Sequence, residues 1–184
     1  MAVLDVLLTF KTKSLYAIFV DIQLIINMAT KKIPPQEAAT IIRNNDTVAF
    51  SGFTHAGCPK AVPAALAEHA KNEHAKGKPF KIGVITGAST GDNIDGALSR
   101  ADAIKFRTPY QTNNDIRNAI NNGVIDYFDL HLSTVAQELR YGFYGSVDVA
   151  IIEACDVTEN GEIVPTCGVG LTPTIARIAK LIIV

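Results

Sequence analysis

Apolar residues along this chain fall into short runs separated by polar, glycine-rich or proline-containing breaks. Thr47-Val48-Ala49-Phe50 and Lys81-Ile82-Gly83-Val84-Ile85-Thr86 read as strands, as do residues 103–106 and 127–130. Val147-Asp148-Val149-Ala150-Ile151-Ile152 is β-branched and follows a glycine turn, which makes it the clearest strand of the set. Between these runs the period becomes helical. Pro34-Pro35 opens a helix over 36–43 with Glu37 near its positive end, and Asn44-Asn45-Asp46 stops it. From Pro59 to about Lys76, Val62, Leu66 and Ala70 share one stripe, with Pro63 marking a lost helix bond or a delayed start. Shorter helices are expected over 94–100, 113–121, 134–140 and 173–180. Strands alternating with helices across short loops predict an α/β domain built on a mostly parallel sheet covered by helices.

The two ends differ from this body. Residues 1–27 are apolar and lack turn chemistry, but Asp5, Lys11, Lys13 and Asp21 interrupt them well short of the roughly 20 residues a membrane span needs. Asp5 precedes the basic pair, which is the wrong order for a secretory signal. Met28-Ala29-Thr30-Lys31-Lys32 has the texture of an ordinary start. The expectation is that Met28 is the initiator, that residues 1–27 are a non-native extension, and that 28–184 form the domain. At the other end, Leu181-Ile182-Ile183-Val184 reads as the opening of a buried strand. A free carboxylate on such a run is costly to bury, so the domain is expected to be truncated and the chain to be the N-terminal part of something longer.

Composition narrows the function classes. Seventeen basic side chains against 18 acidic ones leave a net charge of −1. No basic surplus exists to displace counterions from phosphates, so neither a nucleic-acid partner nor a membrane partner is expected. Cys58, Cys155 and Cys167 are odd in number and contain no C-x-x-C, which argues against a disulfide framework or a zinc ribbon and for a cytoplasmic location. His69, Glu73 and His74 share a helix, but the two histidines are spaced to face different directions, so no metal site is expected.

Two glycine-rich turns carry candidate chemistry. Residues 51–58 join a strand to a helix, where parallel sheets bind ligands and where a helix start offers N–H groups to an anion. Their spacing matches neither a dinucleotide fingerprint nor a P-loop, so a plain connecting turn is the competing reading. Cys58 could be activated by the following helix or could simply fill space. Gly87-Ala88-Ser89-Thr90-Gly91 matches G-x-S-x-G between a strand and a helix. With Asp126 or Asp129 and His131 downstream, it offers a serine-hydrolase reading, weakened because few strands precede it. Glu153 ends the best strand, where an acid could act as nucleophile or base. Asp156, Glu159 and Glu162 surround the turn dipeptide Asn160-Gly161 and read as turn and surface residues.

Ser51-Gly52-Phe53-Thr54-His55-Ala56-Gly57-Cys58-Pro59-Lys60-Ala61-Val62-Pro63 resembles the acetyl-CoA hydrolase/transferase family, class I CoA-transferases that include succinyl-CoA:acetate CoA-transferases. Residues 86–92, Phe106-Arg107-Thr108-Pro109-Tyr110, Asp129-Leu130-His131-Leu132-Ser133 and residues 148–170 are similar too, so the likeness runs from about Ile33 to Val184. It accounts for the Ser89 turn as an ordinary part of the family's first half. The resemblance implies a CoA-transferase-like N-terminal domain and transfer of CoA between acetyl-CoA or succinyl-CoA and a short carboxylate, or hydrolysis of acetyl-CoA. It implies an attacking glutamate in a second half, supplied by a C-terminal domain or partner chain. Glu153 does not sit in that glutamate's motif. No permanently bound cofactor is implied, with a coenzyme A thioester as substrate and a homo-oligomer as the complete form. The share expected of this half is one wall of the acyl pocket, from Ser51, Gly52, Phe53 and Thr54 with Gly168 and Gly170. A small serine hydrolase using Ser89 and a non-catalytic binding or oligomerisation module remain as alternatives.

Overall fold

The computed structural model describes residues 31–184 and the backbone of one strand nearer the N-terminus. That strand, β1 (Val6–Phe10), is followed by β2 (Lys31–Ile33) and α1 (Pro35–Ile41). Next come β3 (Thr47–Phe50), α2 (Ala61–Ala75) and β4 (Ile82–Thr86). A π-turn over Asp92–Gly96 runs into α3 (Ala97–Arg100), then β5 (Ile104–Thr108), α4 (Asn114–Asn121) and β6 (Asp126–Tyr127). The remainder is α5 (Leu132–Tyr141), β7 (Val149–Ile151), the hairpin β8 (Ala154–Val157) and β9 (Ile163–Pro165), α6 (Thr172–Ile178) and β10 (Leu181–Ile183).

The strands β10-β7-β3-β4-β5-β6 lie side by side and parallel, with β1 and β2 added antiparallel beyond β10. Strand alternation sorts the side chains to two faces. Val48 and Phe50 of β3 join Val149 and Ile151 of β7 in a core under α1, α2, α3 and α4. Ala49, Ala150 and Ile182 point the other way, into a core with Val135 and Leu139 of α5 and Ile175 of α6. Both faces are therefore covered, which is why β4 is buried along its whole length and reads as continuous apolar sequence rather than as alternation.

Sequence order runs outward from β3 through β4, β5 and β6 on one side, and returns to β7 and β10 on the other. The connection after β3 passes through α2 on one face, and the connection into β10 passes through α6 on the opposite face. Between β3 and β7 the chain paths diverge, and the carboxyl ends of those two strands form a topological switch point.

The expected elements recur with displaced ends. Pro63 is the third residue of α2, so the delayed start is the one adopted. The run at 127–130 is strand only at its beginning, with the N–H groups of Phe128 and Leu130 still donating to the carbonyls of Arg107 and Pro109 along β5 and the turn after it. Asn160-Gly161 does turn, with Gly161 at φ 78, but Asp156 lies in a strand of the β8–β9 hairpin that the sequence pattern did not reveal. The expectation that residues 1–27 are foreign to the domain lies outside the described residues except at β1. There the backbone pairs Leu8 with Ile183 and Leu8 with Lys31.

Candidate functional site

The turn leaving β3 begins on the switch point. The Ser51 N–H donates to the carbonyl of Ile151 at 3.0 Å, extending the β3–β7 ladder by one bond. The buried Ser51 hydroxyl then joins three segments: it donates to the carbonyl of Gly57 at 2.7 Å and accepts from the backbone N–H of Glu153 at 2.8 Å. The Lys60 ammonium, at the start of α2, pairs with the Glu153 carboxylate and donates to the carbonyl of Cys58 at 2.9 Å. Glu153 is thus half-buried with its carboxylate occupied by a cation from the same site.

Within this turn Phe53 and Ala56 exchange backbone hydrogen bonds and hold Thr54 at φ 57, a costly conformation for a β-branched residue. The Cys58 thiol donates to the carbonyl of Thr54 at 2.8 Å. Cys58 is fully buried, and desolvation pushes its thiol up to about 11 in spite of the Lys60 charge nearby. Of the two readings of Cys58, burial favours the space-filling thiol over the activated one.

A second chain segment closes on this turn from more than a hundred residues away. The backbone of Gly168 lies so close to Ala56 that a Cβ at that position would overlap the Ala56 carbonyl. Gly170, at φ 49, brings its Cα against Gly52, where a Cβ would sit 2.6 Å from the Gly52 carbonyl oxygen. The structure thus sets Gly170 against Gly52 and Phe53, and Gly168 against Ala56 and Gly57, within the turn that also carries Ser51 and Thr54. Phe53 and Val169 stand exposed at the rim of this joint.

The second glycine-rich turn, after β4, lies on the same carboxyl edge. Its Ser89 hydroxyl is 2.6 Å from the hydroxyl of Thr112, which belongs to the turn after β5. Behind them lies a fully buried ion pair. Arg107 Nε donates to Asp95 Oδ1 at 2.7 Å and Arg107 Nη2 donates to Asp95 Oδ2 at 3.1 Å, with both side chains 0% exposed. The same guanidinium donates to the carbonyls of Ala88 at 3.2 Å, Tyr110 at 3.0 Å and Thr108. Asp95 Oδ2 also accepts from the Thr90 N–H at 3.2 Å.

The hydrolase partners are not assembled here. His131 is exposed and its Nδ1 bonds to Ser133 Oγ at 2.7 Å, while Ser89 is engaged by Thr112. Asp126 and Asp129 are both exposed. His69 and His74 pack around Phe80, one edge-on to its ring and the other bonded to its carbonyl at 3.0 Å. Sequence reasoning missed two groups, the Lys60 partner of Glu153 and the Asp95–Arg107 pair. An arginine directly after the apolar run expected as a strand at 103–106 was the available signal.

The family described as acetyl-CoA hydrolase/transferase N-terminal domain matches residues 27–184. A propanoyl-CoA:succinate CoA transferase of Escherichia coli is 48% identical over 153 residues, covering 83% of this chain and 31% of that protein. A succinyl-CoA:acetate CoA-transferase of Clostridium kluyveri is 45% identical, with 86% of this chain and 29% of that protein covered. An acetyl-CoA hydrolase of Schizosaccharomyces pombe is 38% identical, covering 82% and 30%. The chain therefore spans about three tenths of the length of these relatives. In fold it is similar to the glutaconate coenzyme A-transferase of Acidaminococcus fermentans, with TM-score 0.62, 16% identity, and 80% of this chain and 64% of that one covered. No helix among the described residues is long and apolar enough to cross a membrane. With its switch-point turns and its sequence both accounted for, the chain belongs to the acetyl-CoA hydrolase/transferase family and carries that family's N-terminal domain.

Proposed function

We propose that this chain is the N-terminal part of an enzyme that moves CoA between acetyl-CoA or succinyl-CoA and a short carboxylate, or hydrolyses acetyl-CoA. The attacking glutamate then lies in sequence beyond these residues, in a second domain or partner chain. Its carboxylate attacks the thioester carbonyl, forming a mixed anhydride and releasing CoA thiolate. The thiolate attacks the glutamyl carbonyl of the anhydride, which releases the carboxylate product and leaves a glutamyl-CoA thioester. An acceptor carboxylate then attacks the glutamyl-CoA carbonyl, expelling CoA thiolate and forming a second anhydride. The thiolate attacks the acyl carbonyl of that anhydride to give the new acyl-CoA and free glutamate. Water in place of the acceptor releases CoA and free glutamate. Covalent capture divides one hard step into easier ones. Backbone N–H groups directed at each oxyanion lower the barrier by about 2.7–4 kcal/mol per donor.

The observation that carries this reading is the joint between the turn at 51–58 and the segment at 168–170. It builds a rigid main-chain surface at the switch point, suited to one wall of an acyl pocket. Ser51, Gly52, Phe53, Thr54, Gly168 and Gly170 form that wall. Glu153 serves it as an anchor rather than as nucleophile, since its N–H is tied to Ser51 and its carboxylate to Lys60. The printed activities of the relatives support the substrate class, and their greater length supports a separate source for the glutamate.

The test has two arms. The purified chain, given acetyl-CoA and succinate, is expected to show no CoA transfer above background, and robust turnover would overturn the missing-nucleophile reading. The same chain fused to the C-terminal two thirds of the Escherichia coli relative is expected to transfer CoA and to be inactivated by borohydride only after exposure to acyl-CoA, because borohydride reduces a thioester. Fluorophosphonate is expected to leave Ser89 unlabelled, and labelling abolished by Ser89→Ala would favour the hydrolase alternative instead.

A further inference from the structure

We infer that Arg107, acting with Asp95, is the positioning residue of this site: it fixes the turn carrying Ser89 against the turn carrying Thr112. The inference concerns the geometry of the two turns, and its bearing on catalysis rests on the function proposed above.

The ion pair is placed there by an irregularity of the sheet. Ile82 pairs with Ile104, but Gly83 pairs with Phe106 and Val84 with Arg107, so one residue of β5 is passed over. This bulge reverses the parity of the strand beyond it. Ile104 and Arg107, three apart, now face the same helical layer, and Arg107 meets Asp95 of the π-turn there. Bulges recur beside functional sites because they re-aim a side chain in this way.

Stability alone does not explain such a pair. Removing two charges from water costs several kcal/mol per ion, and well-packed apolar replacements are often neutral or stabilising. What apolar side chains could not do is gather backbone groups from separate turns. Arg107 holds the carbonyls of Ala88 and Tyr110, and Asp95 holds the N–H of Thr90. Ser89 is therefore clamped on both sides by the pair, and Thr112 lies two residues beyond the anchored Tyr110. The contact between the Ser89 and Thr112 hydroxyls is the consequence.

The same turns also carry buried polar side-chain atoms. The Thr90 hydroxyl and the Gln111 side-chain oxygen are buried there without a hydrogen-bond partner among the described residues. A planar guanidinium can serve both turns at once, whereas a lysine ammonium lacks the fork.

Amide hydrogen exchange on the 184-residue chain, compared with thermal unfolding, tests the inference directly. Arg107→Lys is expected to speed exchange at 88–91 and 110–112 by about tenfold or more relative to β3 and β7. The paired replacement Arg107→Met with Asp95→Leu restores packing without the fork. It is expected to keep the melting temperature near that of the parent while leaving the two turns just as unprotected. Turns as well protected in the paired variant as in the parent would overturn the inference, as would loss of protection spread uniformly over the sheet. In the fusion described above, the paired variant is expected to lower kcat by about a hundredfold with little change in KM. An active fusion indifferent to the paired variant would refute the catalytic bearing of Arg107. An inactive parent fusion would instead count against the proposed function, leaving hydrogen exchange to judge the positioning role.

Discussion

The turns at 51–58 and 87–91 look alike in sequence, each glycine-rich and each linking a buried strand to a helix, yet they are held by different physics. The first is fixed by neutral hydrogen bonds through Ser51, a buried thiol, and main-chain contact with Gly168 and Gly170. Its one ion pair, Lys60–Glu153, sits at the surface with 59% of the lysine side chain exposed. The second is fixed by an ion pair with no exposure at all. Shape complementarity organises one turn, and a buried charge pair organises the other. The first should therefore fail when atoms are added to it, and the second when one charge is removed.

The largest expected effect comes from breaking the second turn's pair. Arg107→Met alone leaves the Asp95 charge buried without its countercharge, which should cost about 3–5 kcal/mol in denaturant unfolding. Gly168→Ala attacks the first turn by inserting a Cβ where backbone already lies. About 1–3 kcal/mol is expected from overpacking, with exchange rising at 52–57. Gly77→Ala is its control: φ is +73 but nothing lies within 4 Å, so that substitution should leave the first turn's exchange untouched. Equal effects on the first turn from both would remove the case for close main-chain packing.

Ser51→Ala tests the neutral bonds, since it leaves the Gly57 carbonyl and the Glu153 N–H without their partner. A loss of about 1–3 kcal/mol is expected. Cys58 gives a smaller, pH-dependent signal. Its folded-state thiol lies near 11 against an ordinary value of 9.0, so its contribution is fully present below pH 9 and is lost as pH rises through 11. Cys155 and Cys167 are exposed and should alkylate in the native protein at neutral pH, whereas Cys58 should react only on unfolding. The smallest effect belongs to Lys60→Ala, about 0–1 kcal/mol, because solvent screens that pair. A loss comparable to that of Arg107→Met would erase the distinction between the two turns.

Much of this was legible beforehand, and the reasons are local. Val48, Val149 and Ile151 declare strands through β-branching, and with Phe50 and the intervening Ala49 and Ala150 they form apolar runs that need only near neighbours to be read. Asn113 as a cap, accepting from the N–H groups of Asp115 and Ile116, likewise lies where the polar helix was expected to begin. The role of Glu153 was harder to read, because Lys60 lies 93 residues away in sequence and no spacing rule links them. The β8–β9 hairpin was obscured because its strands are short and largely exposed, so they show no clean alternation.

By itself, then, the sequence determined the order of strands and helices, the glycine-rich turns at the carboxyl edge and the family signature those turns carry. These depend on local periodicity and on residues adjacent along the chain. Only the tertiary structure decided which turns touch, that Gly168 and Gly170 press backbone to backbone on residues 52–57, and that Arg107 lies inside the protein. The physical reason is parity. A single passed-over residue in β5 reverses which side chains face the helices, and that reversal is set by pairing with β4 rather than by any residue within β5 alone.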